Sequence, residues 1–193
     1  MPKNHIYPLI LLLASAPTGS HAHLRDYLVT RGYWTLSQGR VESEVYNDFY
    51  DKDSGETVYV NQTEVEYGVT DRLTLGVYGV WEKAGAVPIE YAKTKFEARY
   101  RLAEYQRMIV DPALYLEYQL GANGRPDKVE AKLLLSKDFG TDWNVTFNGI
   151  LEKSRGDGGE WERGFTVGVA KVLTYRLTTG LEFKSGEGRT YLI

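Results

Sequence analysis

Glu64 and Glu66 stand two residues apart, so on an extended strand their carboxylates share one face. Two carboxylates so placed can ligate a hard cation or divide the roles of acid and base. Lys95, Arg99 and Arg101 interleave with Glu97, and further charges recur at Glu117, Glu130, Lys132 and Glu152. A mixed-charge set of this kind suits the lining of a pore, where charged side chains filter solutes. Asp48, Asp51 and Asp53 near Gly55 lack the glycine and terminal glutamate of an EF-hand calcium loop. Gly156-Asp157-Gly158-Gly159 opens no helix and so makes no phosphate cradle. No metal site and no cofactor motif is expected from these patterns.

What is missing narrows the chemistry further. The three histidines are His5, His21 and His23, and the chain has no cysteine. Beyond Leu24 this removes Ser-His-Asp and Cys-His nucleophile systems, the usual zinc sites and thiol redox chemistry. A carboxylate pair needs no histidine, but no catalytic residue stands out and an enzyme is not expected. The net charge of −3 is mild and no basic patch points to nucleic acid.

The elements that must position these charges begin after an export signal. Lys3 precedes the apolar run Ile6-Tyr7-Pro8-Leu9-Ile10-Leu11-Leu12-Leu13-Ala14, and Ser20 and Ala22 flank His21 as in an A-x-A-like cleavage site. Residues 1–22 are read as a signal peptide, with Ala14-Ser15-Ala16 as a second possible cut. Residues 23–38 follow as an N-terminal periplasmic segment, and 39–193 as a β-barrel domain.

From Gly39 onward the period is two, in segments of about nine to twelve residues. Tyr59, Thr63, Val65, Tyr67 and Val69 share a face, with Gln62, Glu64 and Glu66 opposite. After Thr70-Asp71-Arg72, the residues Leu73, Leu75, Val77, Gly79 and Trp81 oppose Thr74, Gly76, Tyr78 and Glu82. A helical period would mix these sets. The same alternation recurs around Phe96, Leu116, Leu133, Phe147, Val167 and Leu181, and a less regular strand carries Val41, Val45 and Phe49. About nine strands and the start of a tenth at Thr190 are expected, in an antiparallel up-and-down order. The only plausible short helix is Ala103 to Asp111.

Tight turns at Thr70-Asp71-Arg72, 138–142 and 173–176 alternate with connections read as longer, Lys83 to Tyr91, Gly121 to Asp127 and Lys153 to Arg163. Short turns on one rim and longer loops on the other characterise an outer-membrane β-barrel. Strands of this length suit a tilted crossing, and Tyr59, Tyr67, Trp81, Trp143 and Phe183 sit where interface girdles would place them. In such a barrel Glu64, Glu66, Lys95, Glu97, Arg99, Arg101, Glu117, Glu130, Lys132 and Glu152 line the lumen, the basic residues facing acidic ones across it. The competing architecture is a soluble periplasmic lipocalin-like binding barrel, with its apolar face turned inward.

The hairpin Tyr67-Gly68-Val69-Thr70-Asp71-Arg72-Leu73-Thr74-Leu75-Gly76-Val77 resembles the repeated unit of small Gram-negative outer-membrane barrels of the transporter type. The group it is most similar to is the family labelled for the meta-pathway of phenol degradation. The resemblance implies a transmembrane barrel in the outer membrane and passage of small solutes, and it carries over no catalytic residue. A non-transporting barrel that scaffolds an envelope complex or adheres through its loops is the other membrane reading. Single-chain bacterial barrels have even strand counts, and the resemblance implies a final aromatic where this chain has Ile193. A barrel of about twelve strands lacking its C-terminal ones is therefore expected, with roughly eight strands the competing count.

Overall fold

The computed structural model describes residues 27–52, 55–156, 159–174 and 177–186, and the backbone alone of 189–192. The expected signal peptide, His23, Asp53, Asp157-Gly158 and Ile193 lie outside the described residues.

Two-residue alternation sustained over a dozen positions can bury one face only as a strand, and every element of the structure is one. They are β1 (Val41–Asp51), β2 (Thr57–Thr70), β3 (Leu73–Ala84), β4 (Glu90–Arg101) and β5 (Asp111–Gly121). Then follow β6 (Asp127–Phe139), β7 (Trp143–Arg155), β8 (Glu162–Thr174), β9 (Leu177–Gly186) and the four-residue β10 (Arg189–Leu192). All are antiparallel and pair in chain order as one curled, up-and-down sheet with β1 and β10 at its edges. The fold is all-β, a half-barrel.

Two expectations about the connections are corrected. The segments read as long loops shrink to residues 85–89, 122–126 and 156–161, because ladder pairing continues through charged residues such as Glu82↔Glu90 and Asp127↔Arg155. Charge marks a solvated strand end as readily as a loop, so composition overstated their length. Residues 102–110 form turns and bends instead of a helix, and no helix occurs among the described residues. That connection is still long on the rim where its neighbours are the two-residue and three-residue turns 71–72 and 140–142.

Burial follows the period of the strands, but its sense is reversed from a soluble protein. On β5, Tyr115 is 1 %, Leu116 57 % and Glu117 4 % exposed. Leucine faces out; glutamate faces in. Val65, Leu75, Val77, Phe96, Leu114, Leu133, Phe147, Leu151 and Leu181 continue the exposed apolar face. Glu64, Thr74, Glu97, Arg99, Gln119, Asn144, Thr146, Asn148, Thr166 and Glu182 are buried on the other.

The buried face is concave, and residues 27–38 lie across it as a strap. Four strand spacings separate β7 from β3, about 19 Å on a flat sheet. Yet Arg31 exchanges backbone bonds with the Asn148 side chain on β7 (2.7 and 2.9 Å) while its guanidinium donates to the Tyr78 hydroxyl on β3 (3.0 Å). One residue reaches both only because the sheet curls round it. The small apolar core, Tyr33 against Ala113, Tyr115 and Leu134 with Trp34 beside it, lies between strap and sheet.

Candidate functional site

Strand alternation decides which charges can meet. It sets Glu64 and Glu66 of β2, Lys95, Glu97, Arg99 and Arg101 of β4, Glu117 of β5, Glu130 and Lys132 of β6 and Glu152 of β7 on the concave face. There they pair as neighbours. Arg99 donates to Glu66 (2.6 Å) and Glu97 (2.7 Å), Lys132 pairs with Glu130 (2.9 Å), and Lys128 with Glu152 (2.6 Å). Lys95 stands 3.9 Å from Glu117, whose carboxylate accepts from Tyr115 and Gln119 at 2.6 Å each. Partners thus come from the same or a nearby strand, where the sequence suggested pairing across the lumen. The reason is register: residues two apart, and those opposite on neighbouring strands, lie closer than any opposite wall.

Tyr59, Tyr67, Trp81, Trp143 and Phe183 occupy the convex face. Tyr59 packs on Phe49 (4.9 Å between centroids), and Trp81 meets Tyr91 edge-on (5.8 Å). The Lys171 ammonium lies 4.8 Å over Trp143, and Phe183 continues a ladder through Phe165 to Phe147.

The strap supplies groups that strand periodicity gave no reason to place in the site. The backbone N–H groups of Leu28, Val29 and Thr30 all donate to the Glu182 carboxylate, at 2.6, 3.0 and 2.6 Å. Successive amides converging on one anion form a nest, here closed by a side chain of β9. The Tyr27 hydroxyl lies 3.0 Å from the Asn144 carbonyl oxygen and 3.2 Å from that of Gly168. A Cβ at Gly168 would stand 2.4 Å from the Tyr27 ring, so only glycine leaves room for it. Farther along, Arg99 donates to the Trp34 carbonyl (2.9 Å), and Leu36 N–H to the Thr74 hydroxyl (2.8 Å). At its end the strap crosses β2, where a Cβ at Gly68 would meet the Ser37 carbonyl oxygen at 2.2 Å.

Arg31 is the electrostatic centre of the strap. Its guanidinium lies 5.9 Å from the ring centroids of both Tyr78 and Tyr115, and 3.6 Å from the Glu97 carboxylate. Burial alone would favour losing its proton, but Tyr78, Glu97 and Glu64 around it raise its pKa well above the ordinary value. Arg31 is therefore a fixed cation inside the curl. Burial likewise pushes the Tyr33 hydroxyl up, with Asp111 and Asp138 adding to the effect, so it stays neutral.

The polar faces of β3 and β7 were legible as alternation, but Tyr27, Arg31, Tyr33 and Trp34 were missed as site residues. Their segment lacks a strand period, and its only signal is three aromatics in a short stretch that forms no element. Such a site can bind, screen and exclude polar solutes, with the strap as its filling. No family model, no curated protein and no solved structure matches the chain, so its function rests on this geometry.

Proposed function

We propose that this chain forms an outer-membrane β-barrel that passes small polar solutes, with the charged concave face as its lining and the strap as its gate. One observation carries the reading: the apolar face points outward and the charged face inward. A lipocalin-like barrel in water would require the opposite sense. Burying a leucine or phenylalanine side chain is worth about 1.5–3 kcal/mol. A surface carrying Leu114, Leu116, Leu120, Leu133, Leu151 and Phe96 exposed is stabilised by hydrocarbon and poorly tolerated by water. The hairpin resemblance and the export signal read from the sequence support the same location.

The strap favours a barrel that is closed at rest. Its bonds to Glu182, Asn144, Asn148, Thr74 and Arg99 fill the concave face with protein groups. Planar-bilayer conductance of the full-length protein and of a variant lacking residues 27–38 tests the proposal. Removing the strap is expected to raise single-channel conductance. If both proteins insert into the bilayer and neither conducts nor admits solutes, the barrel is a scaffold instead of a channel. Recovery of the full-length protein from the periplasm without detergent would overturn the membrane location itself.

A further inference from the structure

One sector of the outward face turns basic at the edge of its apolar band. On β7 the outward positions run Trp143, Val145, Phe147, Gly149 and Leu151, then change character at Lys153 and Arg155. The register sets Arg163 of β8 directly opposite Leu151, and Asp127 of β6 directly opposite Arg155. Partners opposite each other share a face, so Lys153, Arg155 and Arg163 stand together outside the curl, on the rim of the 156–161 connection. Arg155 and Arg163 are exposed, and Lys153 is half-buried.

The carboxylates nearby leave this charge largely unbalanced. Asp127 already accepts from the Tyr118 hydroxyl (2.5 Å) and the Gly121 N–H (3.1 Å). Glu162 is in register with Glu152 and so belongs to the concave face, and Glu160 lies in the exposed connection. Neither Lys153 nor Arg163 has a carboxylate partner among the described residues. The patch is also local, because β1, β2 and β5 contain no lysine or arginine and the chain as a whole carries −3.

Two further observations say what the patch faces. Trp161 is 56 % exposed, with the Lys153 ammonium 5.8 Å over its ring, and at the other end of the same strands Lys171 lies 4.8 Å over Trp143. Tryptophan and long cations gather where an apolar surface gives way to polar headgroups. Between Arg163 and Lys171, β8 turns Phe165, Val167 and Val169 outward. Those eight steps span about 26 Å along a strand, close to the apolar band of about 25 Å on an outer-membrane barrel. The cations thus border the apolar band at the depth of lipid phosphates.

We propose that Lys153, Arg155 and Arg163, with Trp161 beside them, bind the headgroup of an anionic phospholipid on the outward face of β7 and β8. The inference rests on the membrane reading above. Guanidinium forks match phosphate oxygens, and each lysine or arginine at a membrane surface strengthens the hold on anionic lipid by about fivefold. Next to Arg163 the ladder of Phe147, Phe165 and Phe183 offers the acyl chains of the same lipid an apolar track. A free phosphate would use the charges alone; a lipid uses both.

The test is native mass spectrometry of the full-length protein released from micelles containing phosphatidylglycerol or phosphatidylcholine. Wild type is compared with Arg163→Gln, with the double variant Lys153→Gln, Arg163→Gln, and with Lys52→Gln. Wild type is expected to retain one phosphatidylglycerol, about tenfold more tightly than phosphatidylcholine. Arg163→Gln should weaken retention by about fivefold and the double variant by roughly twenty-fivefold. Lys52→Gln, which removes a cation paired with Glu56 on the same rim, should retain lipid as wild type does. Equal retention of the two lipids by wild type, or undiminished retention by the double variant, would overturn the proposal. Displacement of phosphatidylglycerol by inorganic phosphate would do the same, because it identifies a simple anion site. Insertion into phosphatidylcholine vesicles, read as resistance to alkaline extraction, separates the two readings. A protein that inserts without preferring phosphatidylglycerol rejects this site alone, and one that inserts into neither kind of vesicle rejects the membrane reading with it.

Discussion

Tyr115, Leu116 and Glu117 are consecutive, yet the outer two are buried and the leucine between them is not. A strand turns successive side chains to opposite faces, so the chemistry of each face is written at alternate positions. At the turn rim the residue scale is set by single pairs. Arg72, in the 71–72 turn, donates to Glu104 in the 102–110 connection, and both side chains are exposed. The hydrogen bond and charge of Arg72 hold the Glu104 carboxyl below its ordinary 4.5. A carboxyl whose pKa is lowered by folding stabilises the fold above its ordinary value, and that contribution fades as pH falls through the lowered one. Exposure and salt keep the contribution small. Wild type is therefore expected to melt slightly above Glu104→Gln at pH 7, and the difference is expected to shrink as pH falls below 4.5. A melting difference that persists unchanged in acid would show that the pair is not its source.

At the scale of elements, the hairpins were the legible part. Thr70-Asp71-Arg72 between two alternating runs fixes β2 and β3 in register, and the structure pairs Val65 with Val77 and Glu64 with Tyr78 accordingly. Connections were less legible, because Glu82, Glu90 and Asp127 continue a ladder with side chains equally at home in a loop. The strap was not legible at all as part of the site. Its position comes from long-range contacts, such as Thr30 with Glu182, between residues 152 apart in the chain. No local period encodes a bond of that reach. The anion nest gives the strap a specific dependence on one side chain. Glu182→Ala leaves three backbone N–H groups without their acceptor, and should weaken docking by about 2 kcal/mol, roughly thirtyfold in the docked ratio. Limited trypsin digestion reads this directly, since cleavage after Arg31 requires the strap to leave the sheet. Cleavage is expected to speed up by a similar factor, and an unchanged rate would mean that the nest does not hold the strap.

For the whole molecule, ten strands in chain order make a curled sheet whose interior is charged and whose exterior is apolar. Membership of the two faces could be read from the sequence, because alternation separates leucine and phenylalanine from glutamate, lysine and arginine. Which face turns inward could not, since a soluble barrel and a membrane barrel share the same period. Curvature decides it, and curvature belongs to the assembled sheet. On the proposed function the inward charge is the lining and the outward leucines are the surface for lipid. Leu116 and Glu117 allow this to be measured at adjacent positions, and the absence of native cysteine makes single-site labelling free of background. The decisive measurement is spin-label accessibility at Leu116→Cys and Glu117→Cys in reconstituted bilayers, using oxygen as the lipid-soluble relaxant and a nickel chelate as the aqueous one. The account predicts that the label at 116 is relaxed by oxygen and shielded from the chelate, while the label at 117 is shielded from lipid. Equal access of the aqueous chelate to both positions, or lipid contact at 117 in place of 116, would contradict it.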